Sequence, residues 1–392
     1  MQLQERCSGL NGFNLTKIQK EICKAADDFA KGEFGPDLAR DLDRGCQFPR
    51  EVWQKAADLG FLGLQYPEAD GGGGMSMLET VLVAEVLGRR DASLGLAMML
   101  PQLSLEWLAA SDNNTLKAQY LPLAAEGRCL IGAALDDLMP QASVNSEKSE
   151  LSCEVVEAHC LLNGAKTMVL TADCADALVV MAKPKAEDEQ FHVFLVKKDI
   201  EGMRVHHAED MLGLRALQMA EVVFDGVRVE HAYRIAVEKP GSPRLAKVMS
   251  ANWLLLAGMA LGLGQGVLER SVGYVKQRSQ FGRRIGLFQT VRHKIARMAA
   301  AVCQARCFTY DAAVHWSQPK FDSAEAAIAK WTAGEAALAA AYEAIQLYGG
   351  YGYMAEYDVE RYYREAKALT LIGGGNGLLL DNVAASVIGR IK

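Results

Sequence analysis

The hydrophobic residues of this chain change their spacing twice, and that change limits the fold more than any single motif. From Thr16 to about Gly127, apolar residues recur at three- and four-residue steps, as at Ile18, Ile22, Ala25, Ala26 and Phe29. That is the spacing of one helix face. From about Cys129 to Val237 the texture turns to strands. Phe191-His192-Val193-Phe194-Leu195-Val196 and Ala220-Glu221-Val222-Val223-Phe224 run apolar or alternate, as buried strands do. From about Pro243 to Lys392 helical spacing returns, now rich in Ala, with breaks near Gln280–Gly286, Ser317–Phe321, Gly349–Gly352 and Ile372–Gly377. Long helices with short connections are the pattern of a bundle. The expected fold is α+β and multidomain. It has an N-terminal helical domain (1–127), a middle antiparallel β barrel (128–240) and a C-terminal four-helix bundle (241–392). Ala-rich helices such as Ser323 to Ala344 are expected to offer small-residue faces to another bundle, and so to make the chain an oligomer.

Local signals refine this outline. Pro49 is expected as the first helical residue before Arg50-Glu51-Val52-Trp53, with Gly60 as the stop. Ser76 and Glu79 stand at capping-box spacing. The run Gly71–Gly74 lacks a following Gly-Lys-Ser/Thr, so it reads as a flexible connection rather than a phosphate loop. In the middle region, Asn163-Gly164 and Asp225-Gly226 are hairpin-turn dipeptides, and Lys183 to Gln190 reads as a solvated turn. Val248 to Leu268 approaches the ~20 residues of a membrane span. Asn252, Gln265 and the charged run that follows fit a buried core helix better, with Gly258 and Gly262 at a close helix contact.

Several function classes drop out. A net charge of −6 does not suit a nucleic-acid scaffold, which needs clustered cationic surface. The nine cysteines, Cys7, Cys23, Cys46, Cys129, Cys153, Cys160, Cys174, Cys303 and Cys307, are odd in number and contain no CxxC. No apolar secretory stretch is read at Met1-Gln2-Leu3-Gln4-Glu5-Arg6, so reduced thiols in a cytoplasmic protein are expected. Cys303 and Cys307 sit four apart on an expected helix, where a thiol acts as a small core hydrophobe. His206-His207 is a lone pair, and no metal site is expected.

The chemistry-bearing motifs lie in the last third. Arg278 precedes a helix break and offers either a planar charged donor to a pyrophosphate or a partner to a surface carboxylate. Gly349 and Gly350 either admit a nucleotide close to the backbone or simply end a helix, with the amide of Gln346 one turn before them. These residues sit in longer patterns. Arg278-Ser279-Gln280-Phe281-Gly282 with Phe288-Gln289 resembles the Arg-x-x-Phe-Gly…Phe-Gln signature of acyl-CoA dehydrogenases. Gln346-Leu347-Tyr348-Gly349-Gly350-Tyr351-Gly352-Tyr353, followed by Arg364-Glu365-Ala366-Lys367, resembles another signature of that family. Tyr66-Pro67-Glu68 and Leu162-Asn163-Gly164-Ala165-Lys166 are similar to segments of its helical and barrel domains. The resemblance covers nearly the whole chain. It implies a flavoprotein oxidoreductase binding FAD and an acyl-CoA, with Arg278, Phe281, Gln289, Gln346, Gly349 and Gly350 as cofactor-binding residues and an electron-transfer flavoprotein as one acceptor.

The departures are as informative as the matches. In the resembling enzymes a carboxylate takes the α-proton of the acyl-CoA while a hydride leaves the β-carbon for the flavin. Counting from Arg364, the usual Glu position is Gly373; counting back from Gln265, the alternative is Asn252, with Trp253 where an Arg is common. Neither residue can take a proton. The family's Thr-Glu-Pro-Gly-x-Gly-Ser-Asp loop corresponds to Asp136-Asp137-Leu138-Met139-Pro140-Gln141-Ala142-Ser143, its Trp-Ile-Thr to Met168-Val169-Leu170, and its Gly-Thr to Gly374-Gly375. By the resemblance, FAD lies between two subunits. The half that a neighbour supplies is kept here and the half around the ring is lost. Three readings stand: a subunit completing the FAD site of a base-bearing homologous partner; a self-sufficient flavoenzyme using Asp136, Asp137 or Glu209-Asp210; or a flavin-free acyl-CoA-binding protein.

Overall fold

In a computed structural model the described residues are 13–135, 151–184, 190–206 and 210–389. Seven helices come first: α1 (Lys17–Glu33), α2 (Pro36–Gly45), α3 (Arg50–Asp58), α4 (Met77–Arg90), α5 (Ala92–Met99), α6 (Pro101–Ala109) and α7 (Asn114–Ala125). Their boundaries follow local chemistry. A Thr16–Gln19 capping box starts α1, and the expected Ser76–Glu79 box starts α4. Pro49 sits at the N-cap of α3, one position before the expected one, while Pro36 holds the first helical position of α2. The Gly71–Gly74 run is a pinned loop and not a flexible one. Its Gly73, Gly74 and following Met75 donate their backbone N–H groups to Gly63, Tyr66 and Leu64. The correction has a steric cause: the loop runs so close to the Tyr66 carbonyl that Gly72 has no room for a Cβ.

The middle region is the expected β domain: β1 (Ile131–Ala134), β2 (Ser152–Val156), β3 (His159–Leu170), β4 (Ala177–Pro184), β5 (Phe191–Lys197), β6 (Met203–His206), β7 (Met219–Glu230) and β8 (Arg234–Glu238). The sheet runs β6-β7-β3-β1-β4-β5-β8, with β2 also bridging β3 and β4. Most pairings are antiparallel, but β1–β4 and β2–β4 are parallel. This follows from topology. Strands β3 and β4 run in opposite directions and splay apart, β1 fills one end of the gap and β2 the other, and an inserted strand must parallel one neighbour. The two hairpin dipeptides are corrected as well. Asn163-Gly164 and Asp225-Gly226 face each other inside β3 and β7 as a bulge, where the Gly226 N–H donates to Asn163 Oδ1 at 2.9 Å. Strand β5 is apolar on both faces because both are covered. Phe194 and Val196 meet Val222 and Phe224 across the folded sheet, while Val193 and Leu195 meet Leu105, Trp107 and Leu108 of α6.

The C-terminal bundle is α8 (Pro243–Gln277), a two-stranded ribbon β9–β10 (Ser279–Gln280, Arg283–Arg284), α9 (Gln289–His315), α10 (Ser323–Tyr348), α11 (Val359–Leu369) and α12 (Asn376–Ile388). Helix α8 is long and apolar enough to cross a membrane, yet its apolar stretch is buried between α4 and α10 as the core helix expected from Asn252 and Gln265. At Gly258 a Cβ would lie 2.7 Å from the Val81 carbonyl, and Gly262 meets Glu85 and Arg89 in the same way, so the two glycines let α4 cross in contact with α8. The small residues of α10, among them Ala326, Ala333, Ala337, Ala340 and Ala344, are buried within this chain. They therefore do not offer the free small-residue face expected for oligomer contact.

Two buried ion networks tie the bundle to the first domain. Arg306 of α9 donates to Glu85 of α4 (2.8 Å) and Gln265 of α8 (2.9 Å), and Tyr310 donates to the other Glu85 oxygen (2.7 Å). Arg361 of α11 pairs with Asp91 (2.5 Å) and Glu365 (2.9 Å). Burial pushes the Glu365 carboxyl up to about 7 against the pull of Arg361.

Candidate functional site

The end of α8, the β9–β10 ribbon, the start of α9 and the end of α10 enclose a groove of about 790 Å³. Arg278, Phe281, Gln346, Gly349 and Gly350 all line it, although some seventy residues separate the two motifs. Gln289 is the exposed first residue of α9, between the lining residues Phe288 and Thr290. Backbone chemistry explains the positions. Arg278 ends α8, donating its N–H to the Tyr274 carbonyl and accepting from Ile285. Phe281 and Gly282 form the two-residue turn between β9 and β10 with φ of 50° and 76°. Positive φ at both central residues matches the twist of paired strands, but a Phe there is uncommon and strained. Its ring stands 93% exposed at the mouth of the groove, edge-on to Phe288 at 6.3 Å.

Gly349, at φ 60°, ends α10, which is the helix-end alternative for the glycines, and it also lines the groove. For Arg278 the surface-carboxylate alternative is not met. Among the described residues no carboxylate pairs with its guanidinium, which lies instead 5.4 Å from the ring centre of Tyr351. The neighbouring Lys294 is already paired with Glu343. The groove therefore presents a free guanidinium, a free Gln346 amide and aromatic walls. That donor set fits a pyrophosphate attached to flat rings.

The second half of the site looks different. Gly373 lies in the loop between α11 and α12 at φ 72°, and a Cβ there would come 2.6 Å from Leu256 Cδ1. Its carbonyl accepts from Trp253 Nε1 at 2.6 Å, and the next carbonyl, of Gly374, accepts from Lys330 Nζ at 2.8 Å. Asn252 is buried and turned away, its Nδ2 donating to the Leu103 carbonyl of α6 at 3.4 Å. Met168 is exposed, and Gly375 serves as the N-cap of α12. Asp136, Asp137 and the rest of that loop through Ser143, together with Glu209, lie outside the described residues; Asp210 is solvent-exposed.

Across the molecule, sequence models of the acyl-CoA dehydrogenase N-terminal, middle and C-terminal domains match residues 16–128, 140–227 and 241–388. The chain belongs to the acyl-CoA dehydrogenase family. It is 31% identical to benzylmalonyl-CoA dehydrogenase of Aromatoleum aromaticum over 96% of this chain and 99% of that one. It is 29% identical to the caffeyl-CoA reductase–Etf complex subunit CarC of Acetobacterium woodii over 91% and 94%. The FAD complex of PigA superposes with a TM-score of 0.88 at 26% identity, covering 96% of this chain and 98% of that one.

Within this acyl-CoA dehydrogenase-like frame, Lys330 is a residue the sequence reading passed over. It is 3% exposed on α10, and among the described residues no carboxylate offsets the cost of burying it, which pushes its amine down to about 7. A signal was available. Lys330 shares the helix stripe of Ala326, Ala327, Ala333 and Ala337, so a lone charge stands on a core-facing face. No group of metal-ligating side chains occurs among the described residues.

Proposed function

We propose that this chain is a subunit without its own catalytic base that completes the FAD site of a base-bearing homologous subunit. The assembly would carry out α,β-dehydrogenation of an acyl-CoA. One observation carries the reading. The expected base position is a glycine in a left-handed conformation, closed off by Leu256 and held by Trp253, while the opposite groove keeps an unpaired Arg278. A chain losing function as a whole would be expected to lose both halves.

Bound FAD would supply the hydride acceptor. The residues of this chain act on binding alone. Arg278 offers two parallel N–H donors to a pyrophosphate, the Gln346 amide donates and accepts beside it, and Gly349 and Gly350 leave open space above their Cα atoms for close approach. Phe281 projects from the chain to cover an aromatic ring or the partner's surface. The partner's carboxylate would take the α-proton. An electron-transfer flavoprotein is the acceptor this reading favours, in line with the Etf complex that contains the caffeyl-CoA reductase relative.

The test is flavin content and acyl-CoA-dependent dye reduction for this chain alone, for a Glu-bearing homologue alone, and for the two co-expressed. The expected result is stoichiometric FAD and turnover only in the co-expressed pair. Turnover by this chain alone would establish the self-sufficient flavoenzyme instead, and a colourless pair that still binds acyl-CoA would establish the flavin-free reading.

A further inference from the structure

Carboxylates fix several arginines of this chain, as in Arg89–Glu269, Arg90–Asp27 and Arg364–Asp43. Arg270 instead faces the Tyr362 ring at 4.4 Å and donates to backbone carbonyls. Arg278, at the end of α8, is of this second kind, with the Tyr351 ring beside it and, among the described residues, no carboxylate. The ring of Tyr351 is itself anchored. It packs on Tyr357 at 4.9 Å, Tyr357 meets Tyr348 edge-on at 6.0 Å, and Tyr348 stacks on Tyr274 at 3.9 Å with only 13° between planes. Hydrogen bonds lock the far end, with Tyr348 Oη donating to the Arg270 carbonyl at 3.1 Å and Tyr274 Oη to the Tyr348 carbonyl at 3.4 Å. Four tyrosines thus form a continuous ladder from α8 to the groove, and its last rung carries the guanidinium.

We infer that Tyr351 is a positioning residue for the cofactor half-site: it holds Arg278 over the groove by a cation–π contact that leaves the guanidinium donors free for a pyrophosphate. This inference rests on the shared-site reading above and goes one residue beyond it. The physics favours a ring over a carboxylate for this task. A carboxylate would occupy the same N–H fork that must grip the phosphates, and its negative charge would repel them. A tyrosine face attracts the cation through its quadrupole while making no demand on the N–H groups, which lie in the guanidinium plane. It also restricts a long flexible side chain before the ligand arrives, which lowers the ordering cost of binding.

The experiment compares FAD with riboflavin, which carries the same ring system without the pyrophosphate, titrated calorimetrically into flavin-depleted protein in its assembled form. The variants are Tyr351→Leu, Tyr351→Phe and Arg278→Ala. Tyr351→Leu is expected to weaken FAD about three- to tenfold and leave riboflavin unchanged. Tyr351→Phe is expected to bind FAD as the wild type does, because the ring and not the hydroxyl makes the contact. Arg278→Ala is expected to weaken FAD about ten- to hundredfold. If Tyr351→Leu binds FAD normally while Arg278→Ala does not, the positioning role is overturned and the cofactor reading survives. An equal loss of both ligands in Tyr351→Leu, or a Phe variant as weak as Leu, also overturns it, because that is what a general structural defect would give. Unchanged FAD binding in Arg278→Ala would overturn the cofactor reading itself. Should Tyr351→Leu not fold, Tyr351→Trp replaces it, and tighter FAD binding with unchanged riboflavin is then the supporting result.

Discussion

Lys330→Met is a substitution whose effect on stability, and its change with pH, can be worked out from the structure. Lys330 is buried on α10 with one acceptor, the Gly374 carbonyl, and its amine is pushed from its ordinary 10.5 down to about 7 by burial alone. The sign follows from proton counting. Below pH 7 the lysine is charged folded and unfolded, and the folded state carries the full cost of burying an ammonium. Between pH 7 and 10.5 the unfolded chain holds a proton that the folded chain has released, so stability rises with pH. At about 1.4 kcal/mol per pH unit this amounts to about 3 kcal/mol between pH 7 and 9 and ~5 kcal/mol over the whole interval. Met keeps the length and fills the same space without a charge. It is expected to be more stable than the wild type at pH 6.5 by about 2–4 kcal/mol. That margin shrinks as pH rises and reverses by about 1 kcal/mol, the lost hydrogen bond, near pH 10. Urea unfolding of both proteins from pH 6 to 10 measures it. The difference between the two curves is the quantity to read, because thiols such as Cys23 and Cys174, pushed up to about 12 by burial, add a pH dependence common to both. A difference that does not change with pH would refute the argument, since it would mean that Lys330 is not titrating in a buried environment.

Other substitutions probe separate features. Burial also pushes Glu106 of α6 up to about 7, against the pull of the Tyr66 hydroxyl and Lys247, so the folded state loses stability as pH rises from 4.5 to 7. Glu106→Gln is expected to gain about 1–3 kcal/mol above pH 7 and nothing at pH 4.5, read from denaturant midpoints. Arg306→Met leaves Glu85 charged and buried and should cost about 3–5 kcal/mol, much of it recovered by the double variant Arg306→Met, Glu85→Met in the same denaturation assay. Gly72→Ala forces a Cβ onto the Tyr66 carbonyl and is expected to lower stability by about 3 kcal/mol or more, whereas Gly350→Ala, with open space above it, should change the melting midpoint little. Gly373→Glu, introduced to restore a base, puts a side chain on the left-handed backbone of residue 373, where its Cβ must displace the Leu256 side chain, and it is expected to produce no dye reduction in the chain alone.

The sequence by itself determined which stretches are helix and which are strand, because periodicity and capping are local. The Ser76–Glu79 box, the apolar length of α8 and the breaks between the bundle helices all needed only residues a few positions apart. It also determined that neither Gly373 nor Asn252 can take a proton, since that is a property of residue type. What it could not supply was anything set by partners distant in the chain. Asn163-Gly164 and Asp225-Gly226 carry a real signal for positive φ, but a hairpin turn and a bulge make the same local demand, and only the β3–β7 register decides between them. The Gly71–Gly74 run looks flexible until the loop is seen lying on Gly63, Leu64 and Tyr66. Likewise, only the tertiary structure brings Arg278 onto Tyr351 and sets Lys330 against Gly374, across forty-four residues of chain. Local torsional preference is written in neighbouring side chains, whereas burial, the shifted Lys330 amine and the choice of a ring over a carboxylate for Arg278 arise from surfaces that meet only when the helices pack.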